Sequence, residues 1–426
     1  MAKPRHREKR DSVEVCIAAD FLPVERVVGM LYHEALRGSS VFSFEYNGEW
    51  LASRHRFALD PQLDLYRGET YADTPAGNFR IFLDSAPDRW GRALMDRREA
   101  LTAHEERRPV RTLIEWDYLL GVSDLSRPGA LRFRREQGSP YLDNQDLAAP
   151  PVTSLPELQA ISLSLEDPNA EDMPQYRKWL ATLIAPGSSL GGTRPKANFT
   201  DADDSLWIAK FPSREDRRNV GAWEKVVHDM ARECRISVPA SRVIRLGSAY
   251  HTFCCRRFDR SGRGRRFFVS AMTMLERNDG DAGSYLELAQ FLNDHGARNS
   301  IEDNLEQLWR RVAFNVLVSN TDDHLRNHGF IRETSGWHLA PAYDMNPNLA
   351  KREHTLTLDG RDATPHVDLV LDTAELYRLD RPRAARILTR ILAVIRTWRD
   401  RARALGLGRG EIDSMTPAFA LADTRH

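Results

Sequence analysis

The second half of the chain passes from strand-like to helical patterning, and this order constrains the fold more than any other feature. Residues 206–211 form a short apolar strand pattern, 221–233 are typical of a helix, and 243–258 resemble a hairpin with its turn at Gly247. Beyond the hairpin, apolar residues recur at helical spacing, most clearly over 305–316. The pattern predicts an α+β fold in which a small strand-rich lobe precedes a helical lobe.

The first half predicts a separate mixed α/β domain. Apolar and polar residues alternate over 13–17 and 42–46, as in half-buried strands, and a helix is expected to begin after Asp84 or Ser85. A stretch rich in Pro and Gly then interrupts the pattern. We predict a disordered tail over residues 1–10, an N-terminal subdomain over 11–136, a linker over 137–156, a strand-rich lobe over 157–275 and an all-helical lobe over 276–426.

Composition excludes several classes of protein. Apolar residues make up 41% of the 426-residue chain, which indicates a globular protein, and 61 basic side chains balance 61 acidic ones, so bulk charge does not favour nucleic-acid binding. We expect no membrane span and no secretory signal, because no long apolar run is present. The cysteines lack metal-binding spacing, and a reduced, cytoplasmic setting is the expectation.

Three oxygen-bearing residues follow the first long helix of the helical lobe: Asp322, Asn327 five residues later, and Asp344 seventeen residues after that. Phosphoryl transfer needs one carboxylate to orient a hydroxyl and take its proton, and an amide and a second carboxylate to hold Mg²⁺ against the nucleotide phosphates. Kinase catalytic loops order these groups as Asp-x4-Asn and a later Asp. The pattern predicts ATP-dependent phosphoryl transfer; a polar loop with a capping Asp and a turn Asn is the alternative.

Lys210 lies inside the apolar strand and needs an anionic partner there, because an unpaired buried ammonium group is costly. Glu224, on the next helix, is the expected partner, and kinases use such a pair to hold nucleotide phosphates. An edge-strand lysine in water is the alternative. Upstream, the Gly/Ser-rich loop 187–196 offers backbone amides and Lys196 to a phosphate, with a flexible linker as its alternative.

Two further features of the sequence each allow two interpretations. His324 either fixes the loop through hydrogen bonds or transfers protons, and the structural role is favoured. The Arg-rich stretch 381–403 is most simply a solvated helix face, with contact to a partner or to nucleic acid as the alternative.

Together these segments resemble the HipA family of bacterial toxin kinases over most of the chain. The sequence from Ser189 to Lys196 is similar to the family's Ser-x-Gly-Gly-x-x-x-Lys segment. The other similar segments follow in the family's order: 82–98, 118–124, 207–212, 219–224, 257–260, 320–327 and 341–347.

The resemblance implies a Ser/Thr protein kinase with a two-lobed, protein-kinase-like fold that uses ATP and Mg²⁺. It makes Asp322 the catalytic base and Asn327 and Asp344 the Mg²⁺ ligands, and it places the adenine contacts near residues 270–275. It implies autophosphorylation of Ser189, with Ser188 as the alternative acceptor; charge repulsion would then expel the loop from the ATP site. The residues it places around ATP are Lys210, Ser189, Gly191, Gly192, Lys196, Glu224 and His324.

The resemblance also implies partners and a physiological role. Family members phosphorylate aminoacyl-tRNA synthetases, glutamyl-tRNA synthetase being the type case, which blocks tRNA charging and arrests growth. A helix-turn-helix antitoxin of the HipB kind neutralises them and binds operator DNA, so we expect DNA contact only through that partner. Two other readings remain: a small-molecule kinase of the aminoglycoside type, and a non-catalytic subunit of a DNA-binding repressor complex.

Overall fold

A computed structural model describes residues 10–36, 39–143, 149–184, 194–262 and 264–424. Its strands are β1 (Arg10–Ile17), β2 (Arg26–Leu36), β3 (Ser39–Tyr46), β4 (Glu69–Tyr71), β5 (Leu131–Arg134), β6 (Lys196–Thr200), β7 (Leu206–Lys210), β8 (Ser241–Ile244), β9 (Thr252–Arg256), β10 (Arg260–Ser261), β11 (Gly264–Arg265), β12 (Phe267–Ser270), β13 (Gly283–Ser284), β14 (Gly329–Glu333), β15 (Gly336–Leu339) and β16 (Leu356–Thr357).

The α-helices of the described residues are α1 (Gly48–Ala52), α2 (Arg80–Asp84), α3 (Arg89–Glu105), α4 (Glu115–Leu120), α5 (Leu155–Leu165), α6 (Tyr176–Ile184), α7 (Val220–Glu233), α8 (Ala271–Met274), α9 (Tyr285–His295), α10 (Ile301–Leu317), α11 (Val367–Asp372), α12 (Arg381–Ile395), α13 (Trp398–Ala404), α14 (Arg409–Ser414) and α15 (Ala420–Thr424). Within the described ranges, none of these helices has the length and apolarity needed to cross a bilayer.

The chain divides into two compact units that are discontinuous in sequence. The first unit comprises Met1–Pro150, Glu171–Thr193 and Asp259–Val269; the second comprises Pro151–Ala170, Arg194–Phe258 and Ser270–His426. The sequence places 157–193 and 259–269 in the strand-rich lobe, whereas α6 and the strands β10 and β11 belong to the first unit.

The first unit is built on an antiparallel sheet of order β4-β3-β2-β1-β5. The last five residues of β1 are buried, with Val13, Val15 and Ile17 at 0% exposure. Helices α3 and α6 of this unit pack against each other. The buried guanidinium of Arg127 donates to backbone carbonyl oxygens, including that of Ser85 at 2.9 Å, and so fixes the loops around the sheet.

The second unit begins with a strand-rich part, an antiparallel sheet of order β6-β7-β9-β8 that packs against α7. Gly221 in the first turn of α7 allows this packing, because a Cβ there would lie 2.3 Å from the carbonyl oxygen of His251. In the sheet, Lys196 on β6 lies opposite Lys210 on β7. Both lysines therefore project from the same face of the sheet.

The helical part of the second unit is organised around α10, whose apolar face is almost entirely buried. Trp309 on this helix is fully buried, and its indole N–H donates to the carbonyl oxygen of Val370 at 3.0 Å. The helix ends at Leu317, and Ser319 takes a left-handed backbone conformation with φ of 51°. This turn redirects the chain into the loop that carries Asp322 and Asn327.

The predicted strand at 206–211, helix at 221–233 and hairpin at 243–258 are all present, as β7, α7 and the pair β8–β9. The prediction of an all-helical second lobe is wrong, because β14 and β15 form an antiparallel hairpin within it and the short strands β13 and β16 pair in parallel. These strands are too short to give a recognisable alternation, and a tertiary contact holds the hairpin: Ala297 N donates to Trp337 O at 2.9 Å.

The predicted start of the N-terminal helix is also corrected. Asp84 and Ser85 end α2, and α3 begins only at Arg89, where the side chain of Asp88 accepts a hydrogen bond from Gly91 N. Several capping residues lie close together in this segment, and a contact from Asp60 to the backbone of α2 selects among them. Arg10, which the prediction assigned to the tail, is in β1, and residues 1–9 lie outside the described residues.

Candidate active site

Lys210 is the centre of the candidate site. Its ammonium group donates hydrogen bonds of 2.6 Å to Glu224 Oε1 and of 2.6 Å to Asp344 Oδ1. Strand β7 supplies the lysine, α7 the glutamate, and the loop after β15 the aspartate, so three distant segments meet at one ammonium group. The ion pair between Lys210 and Glu224 expected from the sequence is present, and Asp344 is a second partner.

The electrostatics of this triad follow from its burial. Desolvation opposes the charged form of Lys210, but the carboxylates of Asp344 and Glu224 outweigh it and raise the lysine pKa. For Glu224, desolvation dominates and raises the pKa of the carboxyl group despite the nearby ammonium. For Asp344, burial works in the same direction, but the ammonium of Lys210 prevails and lowers the pKa. Asp344 is thus held as a carboxylate at neutral pH.

The backbone at Asp344 is itself unusual. Its φ of 58° lies in the left-handed region, which few residues other than glycine adopt and which aspartate and asparagine tolerate best. This conformation costs free energy, and such strain is concentrated at functional sites. With this backbone conformation, the Asp344 carboxylate points toward the ammonium group of Lys210.

The loop 318–327 and the loop 343–355 are joined along their length. Tyr343 Oη donates to the carbonyl oxygen of Arg326 at 2.8 Å, and Thr355 N donates to that of Thr321 at 3.0 Å. Asn348 N donates to the carbonyl oxygen of Ser319 at 2.8 Å. The structure thereby brings the loop bearing Asp322 and Asn327 beside the loop bearing Asp344, although the sequence separates them.

Asp322 is the accessible acid of the first loop, with 57% of its side chain exposed. Its Oδ1 accepts a hydrogen bond from Lys351 Nζ, and the same ammonium group lies 3.4 Å from Thr355 Oγ1. An exposed carboxylate on a surface loop can reach the hydroxyl group of another molecule. Lys351 is a site residue that the sequence patterns did not indicate, since a lysine in a polar loop carries no distinguishing signal.

Asp323, directly beside it, has the opposite environment. The residue is only 3% exposed. Its carboxylate accepts hydrogen bonds from Tyr285 Oη at 2.6 Å, His328 Nε2 at 2.7 Å and Asn315 Nδ2 at 2.8 Å. Burial acts to raise the pKa of Asp323, but His328 and these hydrogen bonds lower it. Asp323 therefore anchors the loop, which leaves Asp322 free to face outward.

His324 and Lys196 both lie close enough to Asp344 to favour its charged form. Nδ1 of His324 is buried and has no hydrogen-bonding partner among the described residues. Lys196 is buried on the sheet face that it shares with Lys210. Lys196 thus adds a second ammonium group near the triad, and the hydrogen-bonding role expected for His324 stays a prediction.

The donor set suits Mg²⁺ bound together with phosphate oxygens. The buried side chain of Asn327 makes no hydrogen bond to a described residue. The side-chain nitrogen Nδ2 of Asn346 lies 3.5 Å from Asp344 Oδ1, and Oδ1 of the same Asn346 side chain is buried without a partner among the described residues. Across the described ranges, no cluster of three or more His, Cys, Asp or Glu side chains could hold a metal alone. Mg²⁺ commonly takes one or two protein carboxylates and shares the rest with nucleotide and water.

The remaining predicted residues of the phosphate loop, Ser188, Ser189, Gly191 and Gly192, lie outside the described residues. The segment 270–275, expected near adenine, forms the short helix α8, whose N-terminus is capped by Ser270 Oγ. The roles of these residues stay predictions.

Comparisons with known proteins agree with this architecture. Residues 188–398, about half of the chain, match the model of the HipA-like C-terminal domain. The HipA chain of the Shewanella oneidensis MR-1 toxin–antitoxin complex of HipA, HipB and operator DNA is similar in structure, with a TM-score of 0.65, 17% sequence identity, and coverage of 96% of this chain and 95% of that chain. No match was found among curated proteins.

A second solved structure with lower similarity is the proinflammatory kinase CtkA of Helicobacter pylori, with a TM-score of 0.39 and 15% identity, covering 56% of this chain and 91% of that chain. The fold and the site define a protein of the two-lobed, kinase-like class. Within that class, the chain belongs to the family of the HipA-like C-terminal domain, as the sequence resemblance indicated.

Proposed function

We propose that this chain is an ATP-dependent Ser/Thr protein kinase of the HipA kind, acting as the toxin of a toxin–antitoxin pair. The observation that carries the proposal is the Lys210 ammonium group held between Glu224 and Asp344, each at 2.6 Å. A lysine anchored in this way presents a fixed positive charge to nucleotide phosphates, as in other kinases.

In the proposed reaction, Lys210 and Lys196 orient the phosphates of ATP, and Asp344 and Asn327 hold Mg²⁺. The metal supplies charge neutralisation of the phosphate oxygens. The Asp322 carboxylate orients the hydroxyl group of the acceptor serine and takes its proton. The serine oxygen bonds to the γ-phosphorus while the bond from that phosphorus to the β,γ-bridging oxygen breaks, so ADP leaves with the electron pair.

Lys351 has a place in this scheme because it bonds to Asp322. An ammonium group next to the base lies near the phosphoryl group in transit, whose developing charge it would stabilise. In the absence of substrates its contact with Asp322 keeps the carboxylate in one orientation. We assign Lys351 to the positioning of the base and of the transferred phosphoryl group.

The proposed acceptors and partners come from the family. The substrate is a serine of an aminoacyl-tRNA synthetase, such as glutamyl-tRNA synthetase, and its modification arrests translation. Ser189, or Ser188, is the proposed autophosphorylation site. The solved relative is a complex of HipA with HipB and operator DNA, which supports a HipB-like antitoxin as partner and DNA contact through it.

Nucleotide binding tests the site independently of the acceptor. Titration calorimetry with Mg²⁺-ATP should show binding to the unmodified protein, and Lys210→Met should weaken it by about tenfold or more, as expected for loss of a charge-assisted phosphate contact. Lys178→Met, an exposed lysine of α6, is the control and should bind like the original protein. Equal affinity in all three proteins would remove the basis of the proposal.

A further inference from the structure

The second unit contains a cleft lined largely by arginine side chains, at the C-terminal end of α7 and between α10 and α12. Its volume is about 480 Å³, within the usual range for sites of small molecules. Its lining residues are Arg235, Glu306, Arg310, Asp380, Arg383, Arg386, Ile387 and Arg390. Five guanidinium groups thus face two carboxylates, and the cleft has an excess of positive charge.

Part of this lining is fixed. Arg310, 6% exposed, donates to Glu306 Oε1 from Nε at 3.0 Å and from Nη2 at 2.6 Å, and its Nη1 donates to Cys234 O at 3.3 Å. Arg383 pairs with the other oxygen of Glu306 at 2.5 Å. Asp380 caps the N-terminus of α12, where its side chain accepts a hydrogen bond from Arg383 N at 2.6 Å. Both carboxylates of the cleft are therefore already engaged.

The guanidinium groups of the other three arginines of the cleft are not engaged in this way. Arg235, Arg386 and Arg390 form no side-chain hydrogen bond or ion pair with any described residue. Arg386 and Arg390 stand one helical turn apart on α12, where like charges repel and destabilise a helix. Arg235 takes a left-handed backbone with φ of 61° after the end of α7, a position that usually holds glycine. Each of these features costs free energy, although the backbone of Arg235 is held by a hydrogen bond of 2.8 Å from Gln307 Nε2 to its carbonyl oxygen.

The rest of the Arg-rich stretch behaves differently. Arg381, Arg399, Arg401 and Arg403 pair with Asp372, Asp423, Glu233 and Asp400, respectively. Arg396, also outside the cleft, donates to the carbonyl oxygen of Ala422 at 3.1 Å, so the arginines of this stretch without a partner among the described residues are those of the cleft. Such a concave, local cluster suits a compact anion better than the extended backbone of a nucleic acid.

We infer that this cleft binds a compact phosphate-bearing anion of about the size of a nucleoside diphosphate. The cleft is a separate site from the kinase centre and binds a separate ligand. Arginine forks match phosphate oxygens in geometry and charge. Arg386 and Arg390 on one side and Arg235 on the other would hold the phosphate groups. Arg310, which its hydrogen bonds already hold in place, would lie at the base of the site.

Calorimetric titration with inorganic pyrophosphate, at fixed ionic strength and without added metal, tests this inference. The original protein should bind, and Arg386→Glu and Arg390→Glu should each weaken binding by about tenfold or more. Arg409→Glu is the control, since that side chain is 95% exposed and lies outside the cleft. Lys210→Met should retain the site, which separates it from the ATP site. Thermal unfolding midpoints check that the exposed substitutions leave the fold intact.

Three outcomes would overturn the inference. Pyrophosphate affinity that is equal in all variants would exclude the cleft as its site, and a loss confined to Lys210→Met would assign the binding to the kinase centre. Binding of a short DNA duplex that depends on Arg386 and Arg390, without binding of pyrophosphate, would make the cleft a nucleic-acid surface. None of these outcomes depends on kinase activity, so the proposed function stands or fails separately.

Discussion

Lys351 shows what the structure adds at the scale of single residues. The sequence identified Lys210 and Glu224 as partners because a lysine in an apolar strand requires an acid nearby. It did not identify Asp344 as the second partner of Lys210, or Lys351 as the partner of Asp322, because these contacts span 134 and 29 residues. Spacing rules reach only one element and its neighbour, and such pairings are set by tertiary structure.

Substitution of Lys351 tests its assigned role. Lys351→Ala should lower kcat for phosphoryl transfer by about tenfold or more, a typical cost of losing one group that stabilises transition-state charge. The free energy of unfolding should change by less than about 1 kcal/mol, because the ion pair with Asp322 is largely exposed.

Steady-state kinetics and urea unfolding provide the two measurements for Lys351. Arg352→Ala, an exposed basic residue next to it, is the control and should leave kcat unchanged. Full activity in Lys351→Ala would show that the contact with Asp322 has no part in the reaction.

At the scale of elements, the loop that bears Asp322 and Asn327 is held by the helices around it. Asp323 ties the loop to Tyr285 at the start of α9 and to Asn315 near the end of α10. The helices themselves were predictable from their periodicity, and a capping box of Ser284 and Glu287 begins α9. The hairpin β14–β15 was not, because strands of five and four residues give too short a pattern.

This network makes a prediction about stability. Tyr285→Phe removes one of three hydrogen bonds to a buried carboxylate and should destabilise the protein by about 1–3 kcal/mol. Tyr71→Phe is the control, because that side chain is exposed. Urea unfolding of both variants measures the difference; an unchanged midpoint for Tyr285→Phe would mean that the hydrogen bond to Asp323 contributes nothing to the anchoring of the loop.

At the scale of the whole molecule, the second unit contains two histidines that are buried in their neutral form. Burial lowers the pKa of His228 and of His354 to about 4. The unfolded chain binds protons at these residues below about pH 6.5, whereas the folded chain does not until near pH 4. Stability therefore falls as the pH decreases between these values, by up to about 1.4 kcal/mol per pH unit for each histidine.

Urea unfolding at several pH values between 7 and about 4.5 tests this dependence. His354→Leu should flatten the slope, because both ring nitrogens of His354 are buried without a hydrogen bond among the described residues. His366→Leu, at an exposed position, should leave the slope unchanged. A slope that is the same in all three proteins would contradict the burial of a neutral His354. Asp323 and Asp344, whose pKa values are lowered, lose their contribution only below about pH 4.

The whole-molecule organisation was predictable only in part. The order of the strand-rich and helical parts followed from the change of periodicity, and the kinase-like fold followed from the order of the motifs. The assignment of residues 171–184 and 259–269 to the first unit could not be predicted, because linear patterns assign residues to neighbouring segments. The loop 185–193 lies outside the described residues, so the roles of its serines stay predictions.

The central claim is that Asp322 carries phosphoryl transfer, and intact mass spectrometry with site mapping after incubation with Mg²⁺-ATP tests it most directly. The original protein and the control Asp413→Asn, an exposed aspartate of α14, should each gain phosphate on Ser189 or Ser188. Asp322→Asn should fold normally and gain none, because the acceptor hydroxyl loses its base. Phosphate gained at a similar rate by Asp322→Asn would contradict the assignment of the base, and no gain in any initially unmodified protein would contradict the kinase itself.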